Sequence, residues 1–258
     1  MASQEHTLYE VRKGGAAWIT LNRPEKRNAL SGTMTTEVFD HVQAAIADPD
    51  VRCIVITGAG QGFCSGADLK NPPGQAKEGG RAVGYPDTLT AIWNSPKPVI
   101  CAVNGAAFAG GLGLVAASDI IVASEEAIFS YSEVKIGVIP AIISVVGVRK
   151  LGTHQGMRLL LTGERFNGQQ AVEYGLAHVA VPLDQLESAV QKEVDQINLG
   201  GPIAVAECKK LVRSIPELSL EEGFKLTGEW SLRMFKSDEA AEGMAAFREK
   251  RKPNWVKE

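Results

Sequence analysis

Short apolar runs, each leading into a turn and then a helical segment, recur through the chain and limit the folds open to it. The runs CIVIT, PVICAV and DIIVAS are rich in β-branched residues, as is typical of strands covered on both faces. Apolar residues at helical spacing alternate with these runs, the first set being Met34, Val38, Val42, Ala45 and Ile46. Strand, turn and helix in repeated order predict an α/β fold with crossover connections.

The two ends of the chain depart from this order. TLYEVR and AAWITLN alternate apolar and polar residues on either side of Gly14 and Gly15, which predicts a β-hairpin. From about residue 200 the strand signals end, and the sequence becomes helical and rich in charge. We therefore expect a core over residues 1–199 and a helical subdomain over residues 200–258.

We interpret residues 71–88 as a mobile surface loop, because they are rich in proline, glycine and charge.

Composition and charge argue against some classes of function. With 27 Lys and Arg against 30 Asp and Glu, the net charge of −3 creates no field that attracts nucleic acid or an anionic membrane. Residues 98–118 carry no charge and are long enough for a membrane helix. They nevertheless contain Asn104 and four glycines, and they begin with a strand-like run. We therefore expect neither a nucleic-acid partner nor a membrane span.

The patterns of cysteine, histidine and N-terminal residues indicate a reducing compartment and no metal centre. The four cysteines have no C-x-x-C spacing, and a free cysteine beside apolar residues behaves as a small hydrophobe. The four histidines are scattered and show no metal-ligand spacing. The N-terminus lacks a basic-then-apolar targeting pattern. We expect a cytoplasmic or matrix protein with reduced thiols and no metal site.

Two glycine-rich segments are candidates for binding an anion through backbone N–H groups. Residues 63–70 (FCSGADLK) follow CIVIT and are predicted to turn into a helix, and residues 104–113 (NGAAFAGGLG) precede an apolar helix. Small residues at a helix N-terminus let N–H groups approach an anion closely. Taken singly, each segment is explained as well by close packing of small side chains. Together they could direct two N–H donors at one oxygen, as in an oxyanion hole.

One acidic residue stands at the edge of an apolar run. Glu133 precedes residues 136–148, which carry no charge. A carboxylate at the lip of an apolar region would have a raised pKa, and it could both accept and donate a proton near neutral pH. The alternative interpretation is an exposed glutamate paired with Lys135 or with another base.

Six blocks, in this order, resemble the enoyl-CoA hydratase/isomerase (crotonase) superfamily over nearly the whole chain. They are LNRPEKRNALS, IVITGAGQGFCSGADLK, SPKPVICAVNGAAFAGG, LTGERFNGQQAVEYGLAHVAVP, GPIAVAECKKLV and EGMAAFREKRKPNW. The resemblance implies a spiral of ββα units with a C-terminal helical region that builds a homotrimer or homohexamer. It also implies an acyl-CoA substrate, with coenzyme A as part of that substrate and no separate cofactor.

The resemblance assigns roles to residues by their position. The oxyanion donors would be the backbone N–H groups of Ala67 and Gly110, and the catalytic acid/base would be Glu133. The residues that would hold the coenzyme A nucleotide are Lys26, Arg27, Ala29, Asp68, Leu69 and Lys70. Lys250 and Lys252 could reach the 3′-phosphate of a ligand bound to a neighbouring subunit.

Two departures from the family pattern leave the reaction open. Hydratases of this type carry another glutamate in the helix after the glycine-rich turn, where this chain has Gly113. A lone Glu133 suits double-bond isomerisation, because one base can carry a proton between two carbons, whereas hydration asks for an acid/base pair around a water. The second departure follows Ile139 and Pro140, where residues 141–144 (AIIS) stand in place of the family's usual glycine-rich stretch. With it, the segment SEVKIGVIPAIIS resembles methylglutaconyl-CoA and related branched-acyl hydratases. In such an enzyme the substrate's own carboxylate could replace the missing glutamate.

Two further functions stay open on sequence grounds. One is a non-catalytic acyl-CoA-binding protein that has lost its acids, and Glu133 at the matched position argues against it. The other is a different enolate reaction, such as thioester hydrolysis or dehalogenation. A second acid that reaches the pocket from an unrelated position would indicate that reaction.

Overall fold

The computed structural model describes residues 5–74 and 81–256. Strands in these ranges are β1 (Thr7–Arg12), β2 (Ala16–Leu21), β3 (Cys53–Gly58), β4 (Gly62–Cys64), β5 (Val99–Val103), β6 (Ala106–Phe108), β7 (Ile120–Ser124), β8 (Ile128–Ser130), β9 (Phe166–Asn167) and β10 (Val179–Val181). Helices are α1 (Gly32–Ala47), α2 (Tyr85–Asn94), α3 (Gly110–Ala117), α4 (Ala141–Thr162), α5 (Gly168–Glu173), α6 (Leu186–Leu199), α7 (Pro202–Ser214), α8 (Leu220–Phe235) and α9 (Asp238–Glu249).

The strands form two sheets. The larger sheet has the order β1-β2-β3-β5-β7-β10, and the smaller has the order β4-β6-β8-β9. The β1–β2 pair is antiparallel, as the hairpin pattern predicts, and the other pairs of the larger sheet are parallel. β3, β5 and β7 are each followed by a strand of the smaller sheet and then by a helix. This repeat confirms the predicted α/β fold built of ββα units.

Both faces of the larger sheet are buried. Successive residues of a strand point to opposite faces, and in β3 Ile54 and Ile56 join the cluster that contains α1 and α3, whereas Cys53 and Val55 join a second cluster with α6. The prediction that CIVIT is covered on both faces is therefore confirmed. α1 begins at the side-chain cap of Ser31, whose hydroxyl accepts a hydrogen bond from the Met34 N–H at 3.1 Å.

The C-terminal part of the described chain is helical. After β10 the elements are α6 to α9 with two short 3₁₀ turns, as the change in the sequence near residue 200 indicates. α7 begins at Pro202, and the division of the chain at residues 199 and 200 stays a prediction. Residues 98–118 form β5, β6 and α3. Among the helices of residues 5–74 and 81–256, none combines the length and apolar character of a membrane span.

Two expectations for segments beside the glycine-rich turns are wrong. Residues 63–70 do not lead into a helix, because the backbone after β4 pairs with Leu30 through a parallel bridge at Ala67 instead of closing helical hydrogen bonds. The predicted loop over residues 71–88 is also too long, since α2 begins at Tyr85. Residues 75–80 of that loop lie outside the described residues.

The turn after β2 is held by a buried asparagine. Asn28 has a φ of 53°, in the left-handed region that asparagine tolerates better than most residues. Its side-chain Oδ1 accepts a hydrogen bond from the Arg23 N–H at 2.9 Å, and its Nδ2 donates to the carbonyls of Ala59 and Gly62, both at 2.9 Å. Asn28 thereby fixes the β2–α1 turn against the β3–β4 turn, which leads into one of the candidate anion-binding segments.

We predict that Asn28→Ala lowers the free energy of unfolding by roughly 1–3 kcal/mol, because it leaves the partly buried carbonyls of Ala59 and Gly62 without their donor. Urea denaturation followed by circular dichroism measures the change. Asn94→Ala is the matched control, since Asn94 is exposed at the end of α2. Equal unfolding midpoints for the two variants would contradict this role of Asn28.

Candidate active site

The Ala67 N–H is oriented by its neighbours. The Gly66 carbonyl accepts a hydrogen bond from the Leu30 N–H at 2.8 Å, and the Asp68 N–H donates to the Leu30 carbonyl at 2.8 Å. In a trans peptide the C=O and N–H point in opposite directions, so the Ala67 N–H faces away from Leu30. Gly66 has a φ of 100°, which a side chain disfavours.

The Gly110 N–H is oriented in the same way on a second turn. Gly110 is the first residue of α3, so its N–H has no partner within the helix. The preceding carbonyl, that of Ala109, accepts a hydrogen bond from the Leu112 N–H at 2.9 Å, and the Gly110 N–H therefore points away from α3. Ala109 holds a φ of 48° and a ψ of −122°, a strained conformation for alanine, and its own N–H donates to Ser130.

These two N–H groups lie side by side. A Cβ atom built on Gly110 would lie 3.7 Å from the Ala67 nitrogen, and one built on Gly66 would lie 3.5 Å from the Gly110 nitrogen. The second of these atoms would also lie 2.9 Å from the Ala109 Cβ, so Gly66 has no room for a side chain. Two adjacent backbone donors with no side chain between them have the form of an oxyanion hole.

One cavity of about 380 Å³ contains both turns and Glu133. Its walls are mostly apolar and come from the turn after β4, the start of α2, the start of α3 and the start of α4. The residues that line it are Ala67, Pro73, Gly74, Gly84, Tyr85, Pro86, Gly110, Glu133, Ile139, Pro140, Ala141, Ile142 and Ile143. The structure thus brings together the three residues that sequence reasoning placed at the reaction centre, although their roles stay predictions.

Glu133 is a half-buried carboxylate to which the described residues supply no counter-ion. It lies in a 3₁₀ turn (Ser132–Ile136) after β8, and among the described residues its Oε2 atom is buried with no hydrogen-bond partner. The described ion pairs include none between Glu133 and Lys135. Burial raises the pKa of Glu133 above its ordinary value of 4.5, and a hydrogen bond from its own backbone N–H offsets part of the rise.

Two buried tyrosines near Glu133 were missed by sequence reasoning. Tyr85 lines the cavity, and its O–H donates a hydrogen bond to the Gly110 carbonyl. The Tyr131 hydroxyl is buried and has no partner among the described residues. Burial raises the pKa of both phenols above the ordinary value of 10.0, and the nearby Glu133 adds to the rise. Both groups therefore stay neutral at physiological pH.

Gly113 lies where the resemblance places another glutamate, and the structure leaves no space there for a side chain. A Cβ atom built on Gly113 would lie 2.6 Å from the Tyr85 phenol oxygen and 2.7 Å from Ile143 Cγ2. These distances are well inside van der Waals contact. Tyr85 and Ile143 therefore occupy the position where the family pattern has the other glutamate.

The predicted coenzyme A residues form the surface beside the Ala67 turn. Lys26, Arg27, Leu69 and Lys70 are exposed, and Leu69 has 84% of its surface accessible. The Ala29 carbonyl accepts a hydrogen bond from Arg23 at 2.8 Å. Lys250 and Lys252 lie at and just after the end of α9 and do not line the cavity.

The carboxylate of Asp68 is already engaged within the chain. Arg23, which sequence reasoning did not single out, pairs with Asp68 Oδ2 at 3.0 Å, and both side chains are largely buried. Burial acts to raise the pKa of Asp68, but the hydrogen bond from Arg23 and those from the backbone N–H groups of Lys70 and Asn71 lower it overall. The charge of Asp68 therefore stabilises the loop that carries Ala67.

Residues 5–74 and 81–256 contain no group of three or more His, Cys, Asp or Glu side chains placed to hold a metal ion. The described residues that line the cavity supply backbone N–H groups, the Glu133 carboxylate and the Tyr85 phenol.

Comparison with known proteins gives a consistent result. Residues 11–258 match the model of the family described as enoyl-CoA hydratase/isomerase. Enoyl-CoA hydratase EchA19 of Mycobacterium tuberculosis is 38% identical over 250 residues, which span 95% of this chain and 94% of that protein. Carnitinyl-CoA dehydratase of Proteus mirabilis is 36% identical over 256 residues, which span 96% of this chain and 98% of that protein.

Solved structures agree with the sequence comparison. The crystal structure of an enoyl-CoA hydratase from Mycobacterium smegmatis superposes with a TM-score of 0.88 at 30% identity, covering 98% of this chain and 99% of that one. An enoyl-CoA hydratase from Shewanella pealeana gives a TM-score of 0.88 at 32% identity, covering 97% and 96%. The ββα repeat, the two glycine turns and these matches agree, and the chain belongs to the enoyl-CoA hydratase/isomerase family.

Proposed function

We propose that this enzyme binds an enoyl-CoA thioester with its carbonyl oxygen between the N–H groups of Ala67 and Gly110, and that Glu133 moves the proton. The observation that supports this most strongly is the placement in one apolar cavity of two adjacent N–H donors and a half-buried carboxylate whose Oε2 has no hydrogen-bond partner among the described residues. No cofactor enters the proposed chemistry beyond the coenzyme A portion of the substrate.

The proposed reaction is migration of a double bond from carbon 3 to carbon 2. Glu133 removes a proton from carbon 2 of a 3-enoyl thioester, and the electron pair moves onto the thioester oxygen to give a dienolate. The two N–H groups stabilise the negative charge on that oxygen. Glu133 then returns the proton to carbon 4, the double bond lies between carbons 2 and 3, and the carboxylate is regenerated.

The preference for isomerisation rests on the number of acids. Glu133 is the sole carboxylate among the described residues that line the cavity. The position of another glutamate, residue 113, is filled by Tyr85 and Ile143. One carboxylate can relay a proton between two carbons, whereas addition of water to an alkene asks for a base on the water and an acid on carbon.

A second candidate is hydration or dehydration of a branched or carboxylated enoyl-CoA. The names of several relatives favour it, since they are hydratases and a carnitinyl-CoA dehydratase. A carboxylated acyl group would bring a negative charge into the cavity, and no Lys or Arg lines the part that the structure describes. A buried charge without a partner is costly, so we favour an uncharged acyl group.

Substrate binding and assembly extend the proposal beyond the cavity. We propose that Lys26, Arg27, Ala29, Leu69 and Lys70 contact the coenzyme A nucleotide, and that Asp68 contributes by holding this loop through Arg23. We also propose a homotrimer or homohexamer built by the C-terminal helices. Large apolar side chains on α8 and α9 are exposed in the single chain, as a subunit interface requires: Leu220, Phe224, Leu232, Phe235 and Phe247.

The purified protein should convert a 3-enoyl-CoA to its 2-enoyl isomer without a change in mass, because isomerisation adds no atoms. Glu133→Gln should retain the fold and coenzyme A binding and lose about 10²–10⁴-fold in kcat, the range for one acid/base group. Ultraviolet absorbance and mass spectrometry of a panel of 3-enoyl-, 2-enoyl- and carboxylated acyl-CoAs measure both results.

Glu173→Gln is the matched control, because Glu173 is exposed at the end of α5. Near-native turnover by Glu133→Gln would contradict the role of Glu133. If an uncharged 2-enoyl-CoA rapidly gains roughly 18 Da, the mass of one water, the reaction is hydration and not isomerisation. The acid/base role of Glu133 would still stand.

The pH dependence of kcat/KM should show an acidic limb above pH 4.5. Glu133 must be ionised to accept a proton, and burial raises its pKa above the ordinary 4.5, so activity should fall as the pH drops through that raised pKa. Initial rates over a pH series in buffers of constant ionic strength measure the limb. A limb at or below pH 4.5 would contradict the proposed environment of Glu133.

Gly110→Val should lower kcat by about 10²–10³-fold, the effect of losing one oxyanion donor. A Cβ at this position lies 3.7 Å from the Ala67 nitrogen and 3.0 Å from Leu30 Cδ1, so the added methyl groups would cover the N–H pair. Steady-state kinetics measure the loss. Gly228→Val in α8 is the control, since a Cβ there meets no atom within 4 Å. A folded, fully active Gly110→Val enzyme would place the oxyanion hole elsewhere.

A further inference from the structure

Tyr85 connects the start of α2 with the first turn of α3. It is the first residue of α2, follows Gly84 as the N-cap, and has 6% of its surface exposed. Its O–H donates a hydrogen bond to the Gly110 carbonyl. The phenol thus ties the start of α2 to the first residue of α3.

The space for this phenol exists because residue 113 is glycine. A Cβ on Gly113 would lie 2.6 Å from the phenol oxygen and 3.3 Å from the ring carbon that bears it. Tyr85 and a side chain at residue 113 are therefore mutually exclusive in this arrangement. The phenol stands in the same part of the cavity wall as the turn that carries the Gly110 N–H.

The peptides on both sides of Gly110 are held by hydrogen bonds. Glycine has the largest backbone freedom of any residue, and the preceding Ala109 is held at a φ of 48°. The Ala109 carbonyl is fixed by the Leu112 N–H at 2.9 Å, which sets the peptide on one side of Gly110. The Tyr85 O–H fixes the Gly110 carbonyl, which sets the peptide on the other side.

We propose that Tyr85 is a positioning residue that holds Gly110 in the conformation in which its N–H faces the thioester oxygen. Its hydroxyl donates to protein rather than to substrate, and it acts on the reaction through Gly110. This inference rests on the proposed function, because it requires the Gly110 N–H to bind the thioester oxygen.

The test uses acetoacetyl-CoA, a thioester whose enolate absorbs in the ultraviolet. Enolisation moves the carbon 2 proton to solvent and negative charge to oxygen, so the pH at which the bound ligand enolises reports the strength of the oxyanion hole without turnover. In Tyr85→Phe this midpoint should rise by about one pH unit, which is about tenfold in the enolisation equilibrium and corresponds to the loss of one hydrogen bond. kcat should fall by a similar factor while KM and the dissociation constant of coenzyme A stay unchanged.

Two further variants separate positioning from general stabilisation. Tyr174→Phe is the matched control, since Tyr174 packs against Phe166 and does not line the cavity. Gly113→Ala keeps the Tyr85 side chain in the protein but displaces its phenol, because the added Cβ would lie 2.6 Å from the phenol oxygen, so it should move the midpoint in the same direction as Tyr85→Phe. The double variant Tyr85→Phe/Gly113→Ala should show less than the sum of the two shifts, as expected for groups in contact.

The outcomes distinguish the inference from the proposed function. If the native enzyme binds acetoacetyl-CoA and its enolisation midpoint equals that of the ligand in water, both are overturned. If the native enzyme lowers the midpoint and Tyr85→Phe lowers it equally, the inference alone is overturned. If Tyr85→Phe lowers both the affinity for coenzyme A and the melting temperature but leaves the enolisation midpoint unchanged, Tyr85 is structural and the inference is again overturned.

Discussion

The close approach of two backbone turns is the constraint on which the site depends. Gly66 and Gly110 let the Ala67 and Gly110 N–H groups lie close together. A side chain at Gly66 would collide with Ala109 of the other turn. Each N–H is aimed by a hydrogen bond to the carbonyl of its own peptide, from Leu30 in one turn and from Leu112 in the other. Because these donors belong to the folded backbone, they need no reorganisation when charge develops on a bound oxygen.

The two sheets explain why these turns meet. β3, β5 and β7 run parallel, and each continues into a strand of the smaller sheet, so the turns that follow β4 and β6 leave neighbouring strands at the same edge. The segment after β8 leaves the next strand and carries Glu133. The ββα repeat therefore delivers two N–H groups and one carboxylate to a single cavity, whose apolar walls raise the pKa of Glu133.

Sequence reasoning could predict what depends on local pattern. The apolar runs predicted the buried strands β3, β5 and β7, and the resemblance implied the ββα fold. The helix predicted at residues 63–70 is absent because Leu30, distant in sequence, takes up the backbone groups of that segment. Tyr85 was missed for the same reason: its significance lies in contacts with Gly110 and Gly113, which no periodicity or spacing reveals. Arg23 and Asn28 likewise matter through bonds to Asp68, Ala59 and Gly62.

The central claim is that a thioester oxygen accepts hydrogen bonds from both Ala67 and Gly110. The most direct measurement is the infrared stretching frequency of the thioester carbonyl in bound hexanoyl-CoA, isolated by ¹³C labelling of that carbon. Two N–H donors should polarise the bond and lower the frequency below its value in water. A frequency equal to or higher than that in water would show that the oxygen lies away from the two turns and would contradict the account.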